Sequence, residues 1–187
     1  MTPATEPGLP EKVVALHHAL EGASVAHAFG GALALAYYAE PRATVDVDVN
    51  VFVGPEQAEV VTDALTPLGV EPADVALIRR DGQVRTWWGR NPVDLFFAYD
   101  AFHHRMDEWA ALVPFGEERV RVLAPEHLLV CKAVFDRSKD WIDIDQMLVG
   151  VPDLDAGEVR TWLARLVGGD DQRWQRVDRA LREHLGR

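Results

Sequence analysis

Residues 45–53 read VDVDVNVFV, and no other stretch of the chain restricts the fold as much. Alternate side chains of a strand point to opposite faces. Val45, Val47, Val49, Val51 and Val53 therefore build one apolar face, while Asp46, Asp48 and Asn50 leave from the other. The valines demand a packed layer beneath them. Aspartate is a poor strand former, and two carboxylates so close repel one another. Something on the acidic face must offset that cost, and a divalent cation is the obvious candidate.

A second run, NPVDLFFAY at 91–99, repeats the pattern. Val93, Leu95, Phe97 and Tyr99 share one face, with Asp94, Phe96 and Ala98 on the other. If the two strands are neighbours, Asp46, Asp48 and Asp94 converge. Three carboxylates at close range require protonation or metal, and hard oxygen ligands on rigid strands suit Mg²⁺ or Mn²⁺. Such a cage would bridge the phosphates of a nucleoside triphosphate (NTP) and stabilise the entering and leaving oxygens. Upstream, Gly30–Gly31 falls at a strand-to-helix turn. Without β-carbons its backbone lets a ligand approach closely, and a helix N-terminus suits phosphate. Taken singly, each piece has a plainer explanation: a strand edge facing water, a tight turn, a solvated aspartate. The order and spacing of all three set this chain apart.

Helices are expected over 11–21, from Gly31 to about Ala39, over the GPEQAEVVTDALTPLG stretch (54–69), and around 101–110. Pro41 stops the second of these. Strands are expected at SVAHAF, 44–53, 91–99, 111–115 and 118–123. Residues 75–79 and 84–88 are read as strands flanking RDGQ, with Asp81–Gly82 as a hairpin signal. From Pro125 the pattern is all-helical, over 125–135, 139–149, 155–167 and 171–185. A mixed sheet with helices followed by a helical part is an α+β pattern.

The 187 residues suffice for one domain with a core, or one domain plus a helical annex. No apolar run reaches membrane-span length. Cys131 is the one cysteine, which excludes a disulfide framework and a cysteine zinc site. A net charge of −11 disfavours unspecific nucleic-acid binding but leaves room for local basic clusters. Two are visible: Arg79, Arg80, Arg85 and Arg90, then Lys132, Arg137 and Lys139. The opening MTPATEPGLPEK lacks the regions of a signal peptide and is expected to be a mobile lead of a cytoplasmic protein. His17–His18 and His103–His104 are expected at the surface, since helix neighbours diverge too far to chelate. Trp87 and Trp88 alternate across a strand, one toward the core. Lys132 shares a helix side with Leu128 and Leu129. Lysine is seldom buried unpaired, so a phosphate or Asp140 should satisfy it.

The ordered set Gly30–Gly31, Asp46-Val47-Asp48 and Asp94 resembles the nucleotidyltransferase superfamily with the polymerase-β-like fold, over about residues 25–99. Further on, LAPEHLLVCKAVFDRSKDWIDIDQML is similar to the C-terminal helices of the AbiEii-type branch, toxins of type IV toxin–antitoxin systems. The matching residues are Lys132, Arg137, Lys139, Asp140 and Asp143, with Arg42 and Thr44 of EPRATVDVDV. The resemblance implies an α+β fold, a polymerase-β-like mixed sheet flanked by helices. The chain is expected to divide into a lead at 1–10, an α/β core at 11–124 and a helical part at 125–187 packed on that core. The resemblance also implies an enzyme that transfers a nucleoside monophosphate from an NTP, such as ATP, to a hydroxyl and releases pyrophosphate. Asp46, Asp48 and Asp94 would be the catalytic, metal-holding residues. Gly30, Gly31, Thr44, Lys132, Arg137, Lys139 and Asp140 would contact the nucleotide. The acceptor would be RNA, such as a tRNA end, or a protein, with an antitoxin as partner and no membrane involved. Two other readings stand beside it: nucleotidylation of a small molecule such as an antibiotic, for which an acidic protein suits a cationic aminoglycoside, and a non-catalytic module of the same fold that binds nucleotide or a partner.

Overall fold

The computed structural model describes residues 6–186, so residues 1–5 of the expected lead lie outside the described part. The chain divides into two compact units. One holds the described residues up to Gly30 together with Ala43–Val122; the other holds Gly31–Arg42 and the chain from Leu123 onward. In chain order the helices are α1 (Leu9–Gly22), α2 (Gly31–Leu35), α3 (Ala58–Leu65), α4 (Val75–Asp81), α5 (Ala101–Trp109), α6 (Pro125–Phe135), α7 (Ser138–Gly150), α8 (Ala156–Val167) and α9 (Gln172–Leu185). None of these is long and apolar enough to cross a membrane.

The first unit is built on a mixed six-stranded sheet. Its strands are β1 (His27–Phe29), β2 (Val47–Val51), β3 (Gln83–Trp88), β4 (Asn91–Phe97), β5 (Ala111–Phe115) and β6 (Glu118–Val122). They lie in the order β3-β4-β2-β1-β6-β5. The pairs β2–β4 and β1–β6 are parallel and the other neighbours antiparallel. A parallel pair needs a long crossover, and α3, α4 and β3 fill the one between β2 and β4. Val47, Val49 and Val51 are at most 1% exposed, so the valine face is the core face. The strand is shorter than the alternating run, however: Val45 is 62% exposed and lies ahead of the ladder with Asp46.

The expected hairpin at Asp81–Gly82 is a helix end instead. The Asp74 carboxylate accepts from the N–H groups of Ala76 and Leu77 at 2.8 and 3.3 Å, an N-cap that starts α4. Gly82, at φ 68°, closes that helix. A left-handed glycine serves a helix C-cap as well as a hairpin. The hairpin turn falls at Gly89–Arg90, where Gly89 has φ 59°. Two histidines expected at the surface are buried: His17 Nδ1 meets His27 Nε2 at 2.9 Å, and His103 Nδ1 meets Asp100 at 2.7 Å. Trp88 is buried and Trp87 exposed, as alternation requires.

In the second unit α6 is enclosed by α7, α8 and α9. Leu128, Leu129, Val130 and Ala133 are all at most 1% exposed, which marks a helix apolar nearly all round. Ile144, Met147 and Leu148 of α7, Val159 and Leu163 of α8, and Val177 and Leu181 of α9 complete this core. Helix α2 is only five residues long rather than reaching Ala39.

Candidate active site

Strand register builds the site. The parallel β2–β4 register sets Asp48 opposite Asp94, and the antiparallel β3–β4 register sets Asp94 opposite Arg85. Residues in register share a face. Asp48, Asp94 and Arg85 therefore form one row across three neighbouring strands. Asp46 joins that face two residues ahead of Asp48. The Gly30 N–H donates to the Asp48 carbonyl at 2.9 Å, which fixes the end of β1 beside the row. Gly31 has φ 53°, a conformation that favours glycine.

The compensating charge within this row is an arginine, a possibility that the sequence reading of protonation or metal left out. Arg85 grips Asp94 with two parallel hydrogen bonds, Nε to Oδ1 at 2.7 Å and Nη2 to Oδ2 at 2.6 Å. Its Nη2 is 3.8 Å from Asp46. The Asp94 hydrogen bonds, aided by the negative charges of Asp94, Asp46 and Asp48, outweigh partial desolvation and raise the guanidinium pKa further. Arg85 was missed because its strand was paired across the wrong turn. The usable signal is Gly89–Arg90: folding 83–88 back across that turn puts residue 85 opposite residue 94.

Among the described residues no three acidic, imidazole or thiol groups form a ready-made metal cage. The donor chemistry nevertheless fits a hard divalent cation. Asp94 and Asp46 face the one guanidinium, and Asp48 lies in register beside Asp94. The cluster also opens to solvent, with side-chain exposures of 35% for Asp46, 15% for Asp94 and 52% for Arg85.

The remaining expected nucleotide contacts are engaged close to home. The Thr44 hydroxyl accepts the Asp46 N–H at 3.1 Å. In the second unit the ammonium of Lys132 donates to Asp143 Oδ2 at 2.6 Å, not to Asp140. Arg42 grips the same carboxylate through Nε and Nη2, both at 3.1 Å. Asp140 sits in the first turn of α7 and folds back onto Arg137, accepting from its Nε at 2.6 Å and its backbone N–H at 3.2 Å. Asp143, one turn later, is the residue placed to reach α6. Burial works to raise the Asp143 carboxyl, but hydrogen bonds from Arg42 and Lys132 prevail and hold it below the usual carboxylate range. Lys139 is exposed.

The sequence matches no protein-family profile and no curated relative. The fold does have counterparts among solved structures. The antibiotic-resistance factor ANT(2'')-Ia, in its solution structure, superposes with a TM-score of 0.62 at 14% identity, over 94% of this chain and 97% of its own. An antigenic nucleotidyltransferase-like protein from Paracoccidioides brasiliensis gives a TM-score of 0.52 at 21% identity, over 92% of both chains. The chain therefore has the nucleotidyltransferase fold. A lincosamide antibiotic adenylyltransferase, LnuA, with lincomycin bound, shares it too, with a TM-score of 0.54 at 11% identity, over 73% of this chain and 94% of its own.

Proposed function

We propose that the protein is a metal-dependent nucleotidyltransferase, moving a nucleoside monophosphate from an NTP to an acceptor hydroxyl with release of pyrophosphate. One observation carries this reading: the in-register pair Asp48–Asp94, with Asp46 beside it, on adjacent parallel strands of a nucleotidyltransferase fold. Mg²⁺ or Mn²⁺ held by Asp46, Asp48 and Asp94 would neutralise the triphosphate and the charge that develops as pyrophosphate leaves. The chain's own residues supply position. Strand β2 holds Asp48, with Asp46 just ahead of it on the same face, and the Gly30–Gly31 backbone offers a contact surface for phosphate. Asp94 or a group near it accepts the proton of the acceptor hydroxyl. Thr44, Lys132, Arg137, Lys139 and Asp140 are the further residues proposed to contact the nucleotide, Lys139 and Arg137 through exposed side chains. The need for NTP points to the cytoplasm.

Two acceptors are in play. RNA or protein, with an antitoxin as partner, rests on the AbiEii-like residues from Lys132 to Asp143. A small hydroxylated antibiotic is favoured by the likeness to ANT(2'')-Ia and LnuA and by the net charge of −11, which suits a cationic acceptor. Incubation with each labelled NTP, Mg²⁺ and, in turn, total RNA, cell protein or an antibiotic panel decides between them. Label entering one class identifies the acceptor. No transfer to any class, with NTP bound, would leave the non-catalytic module.

A further inference from the structure

We infer that Asn91 and Lys12 are positioning residues for Asp46. The inference deepens the reading above and rests on Asp46 holding the cation there. Asp46 lies one residue ahead of β2, and the β2–β4 register begins only at Val47. The Val45 side chain is 62% exposed and anchors nothing. Two side-chain contacts do the work. Asn91 Nδ2 donates to the Val45 carbonyl at 2.8 Å. The Asp46 N–H donates to Thr44 Oγ1 at 3.1 Å. That carbonyl and that N–H belong to one peptide unit. A peptide unit is planar, so pinning both of its polar groups fixes the plane and the direction in which Asp46 leaves it.

Asn91 is itself held in one orientation. Its Oδ1 accepts from Lys12 Nζ at 2.8 Å. An ammonium only donates and a carbonyl only accepts. Lys12 on one side and Val45 on the other therefore permit a single setting of the amide. Lys12 is 1% exposed, and its other two acceptors are the Trp88 carbonyl at 2.7 Å and Glu6 Oε1 at 2.5 Å. An apolar side chain would fill such a site without the desolvation of a charge. Orienting Asn91 is what the ammonium adds.

Two measurements test this on the full chain: amide hydrogen exchange over residues 44–47, and Mn²⁺ affinity by titration calorimetry with the metal alone. Asn91→Leu keeps the size and removes the donor. Asn91→Asp keeps an acceptor for Lys12 and still cannot donate to Val45, so it serves the exchange measurement if the first variant folds poorly. Thr86→Val is the control, removing another hydrogen bond of the same hairpin, from Thr86 Oγ1 to the Glu71 carbonyl at 2.6 Å. Exchange over 44–47 should accelerate about tenfold in both Asn91 variants. The Mn²⁺ dissociation constant of Asn91→Leu should rise about tenfold, the low end for lost support of a metal ligand. Thr86→Val should leave both at wild-type values. Wild-type exchange and affinity in the Asn91 variants, with Mn²⁺ binding lost in Asp46→Asn, would overturn the inference and spare the metal reading. Equal Mn²⁺ binding by wild type and Asp46→Asn would overturn the metal reading and this inference with it.

Discussion

The two charge clusters of this chain are near inversions of one another. In the first unit two carboxylates, Asp46 and Asp94, face one cation, Arg85, with Asp48 in register beside Asp94, and the group is open to water. In the second unit two cations, Lys132 and Arg42, share one carboxylate, Asp143, whose side chain is 3% exposed. Both resemble functional motifs in sequence. Their surroundings separate them. A half-exposed cluster with charge left over can exchange its partner at little desolvation cost, because water screens the intermediate arrangements. A buried pair cannot part without leaving an uncompensated charge in a poorly polarisable interior. On the proposed reading, exposure suits the first cluster to chemistry, and burial suits the second to holding its helices together.

The strongest test of that contrast is to neutralise one acid in the open cluster. Asp46→Asn and Asp48→Asn should each lower nucleotide transfer by at least on the order of 10²-fold, the scale of losing one preorganised electrostatic contact. The fold should survive, since removing a negative charge relieves repulsion in the row. Turnover near wild type at saturating Mg²⁺ in either variant would dissolve the distinction, because the open cluster would then be as inert as the buried one.

Next in size is the opposite operation on the buried cluster. Lys132→Ala removes the ammonium at 2.6 Å from Asp143. Breaking a buried pair in this way costs about 3 kcal/mol when a second partner such as Arg42 remains. Denaturant unfolding should show that loss. The folded fraction should keep a normal KM for NTP, whereas Lys139→Ala, on an exposed side chain, should raise KM and leave stability unchanged. A Lys132→Ala protein that is fully stable but weak in NTP binding would return Lys132 to the catalytic machinery.

The sequence made the acidic row legible because period-2 alternation is a strong local signal. Val47 to Val51 and Val93 to Phe97 each show one buried apolar face, and the convergence of Asp48 with Asp94 needed only that the strands be neighbours. Arg85 escaped because its place depends on which glycine turns the chain. Gly82 and Gly89 both take a left-handed conformation, and only the Asp74 cap upstream tells a helix end from a hairpin. Lys12 escaped for another reason. It sits on α1 amid apolar residues, and its three acceptors come from Glu6, Trp88 and Asn91, so no window of neighbouring residues contains the network. The Lys132 partner was mistaken by one helical turn, between Asp140 and Asp143, because both lie on the same side of α7.

The smallest expected effects, and the sharpest, come from removing one arginine from each cluster. Arg85→Gln takes away the cation that competes with a metal for the same carboxylates. A unit charge about 4 Å from a divalent ion in water is worth about 2 kcal/mol, so Mn²⁺ should bind about thirtyfold more tightly to the variant. Arg42→Gln should leave Mn²⁺ affinity alone and act on the acid limb of stability. Asp143 has a carboxyl held below its unfolded value by Arg42 and Lys132 against the effect of burial. Its contribution is thus complete above the unfolded pKa of about 3.9 and is lost as pH falls through the lower folded value. With Arg42 gone the folded value moves up toward the unfolded one, and the fall in stability below about pH 4 becomes shallower. Thermal melts from pH 7 to pH 3, with Mn²⁺ titrations at pH 7, read both effects from the same two proteins. Weaker Mn²⁺ binding in Arg85→Gln would show that the guanidinium organises the carboxylates rather than competing for them. An unchanged acid limb in Arg42→Gln would show that Lys132 alone holds Asp143 ionised, and that Arg42 leaves its side-chain donors available to a ligand.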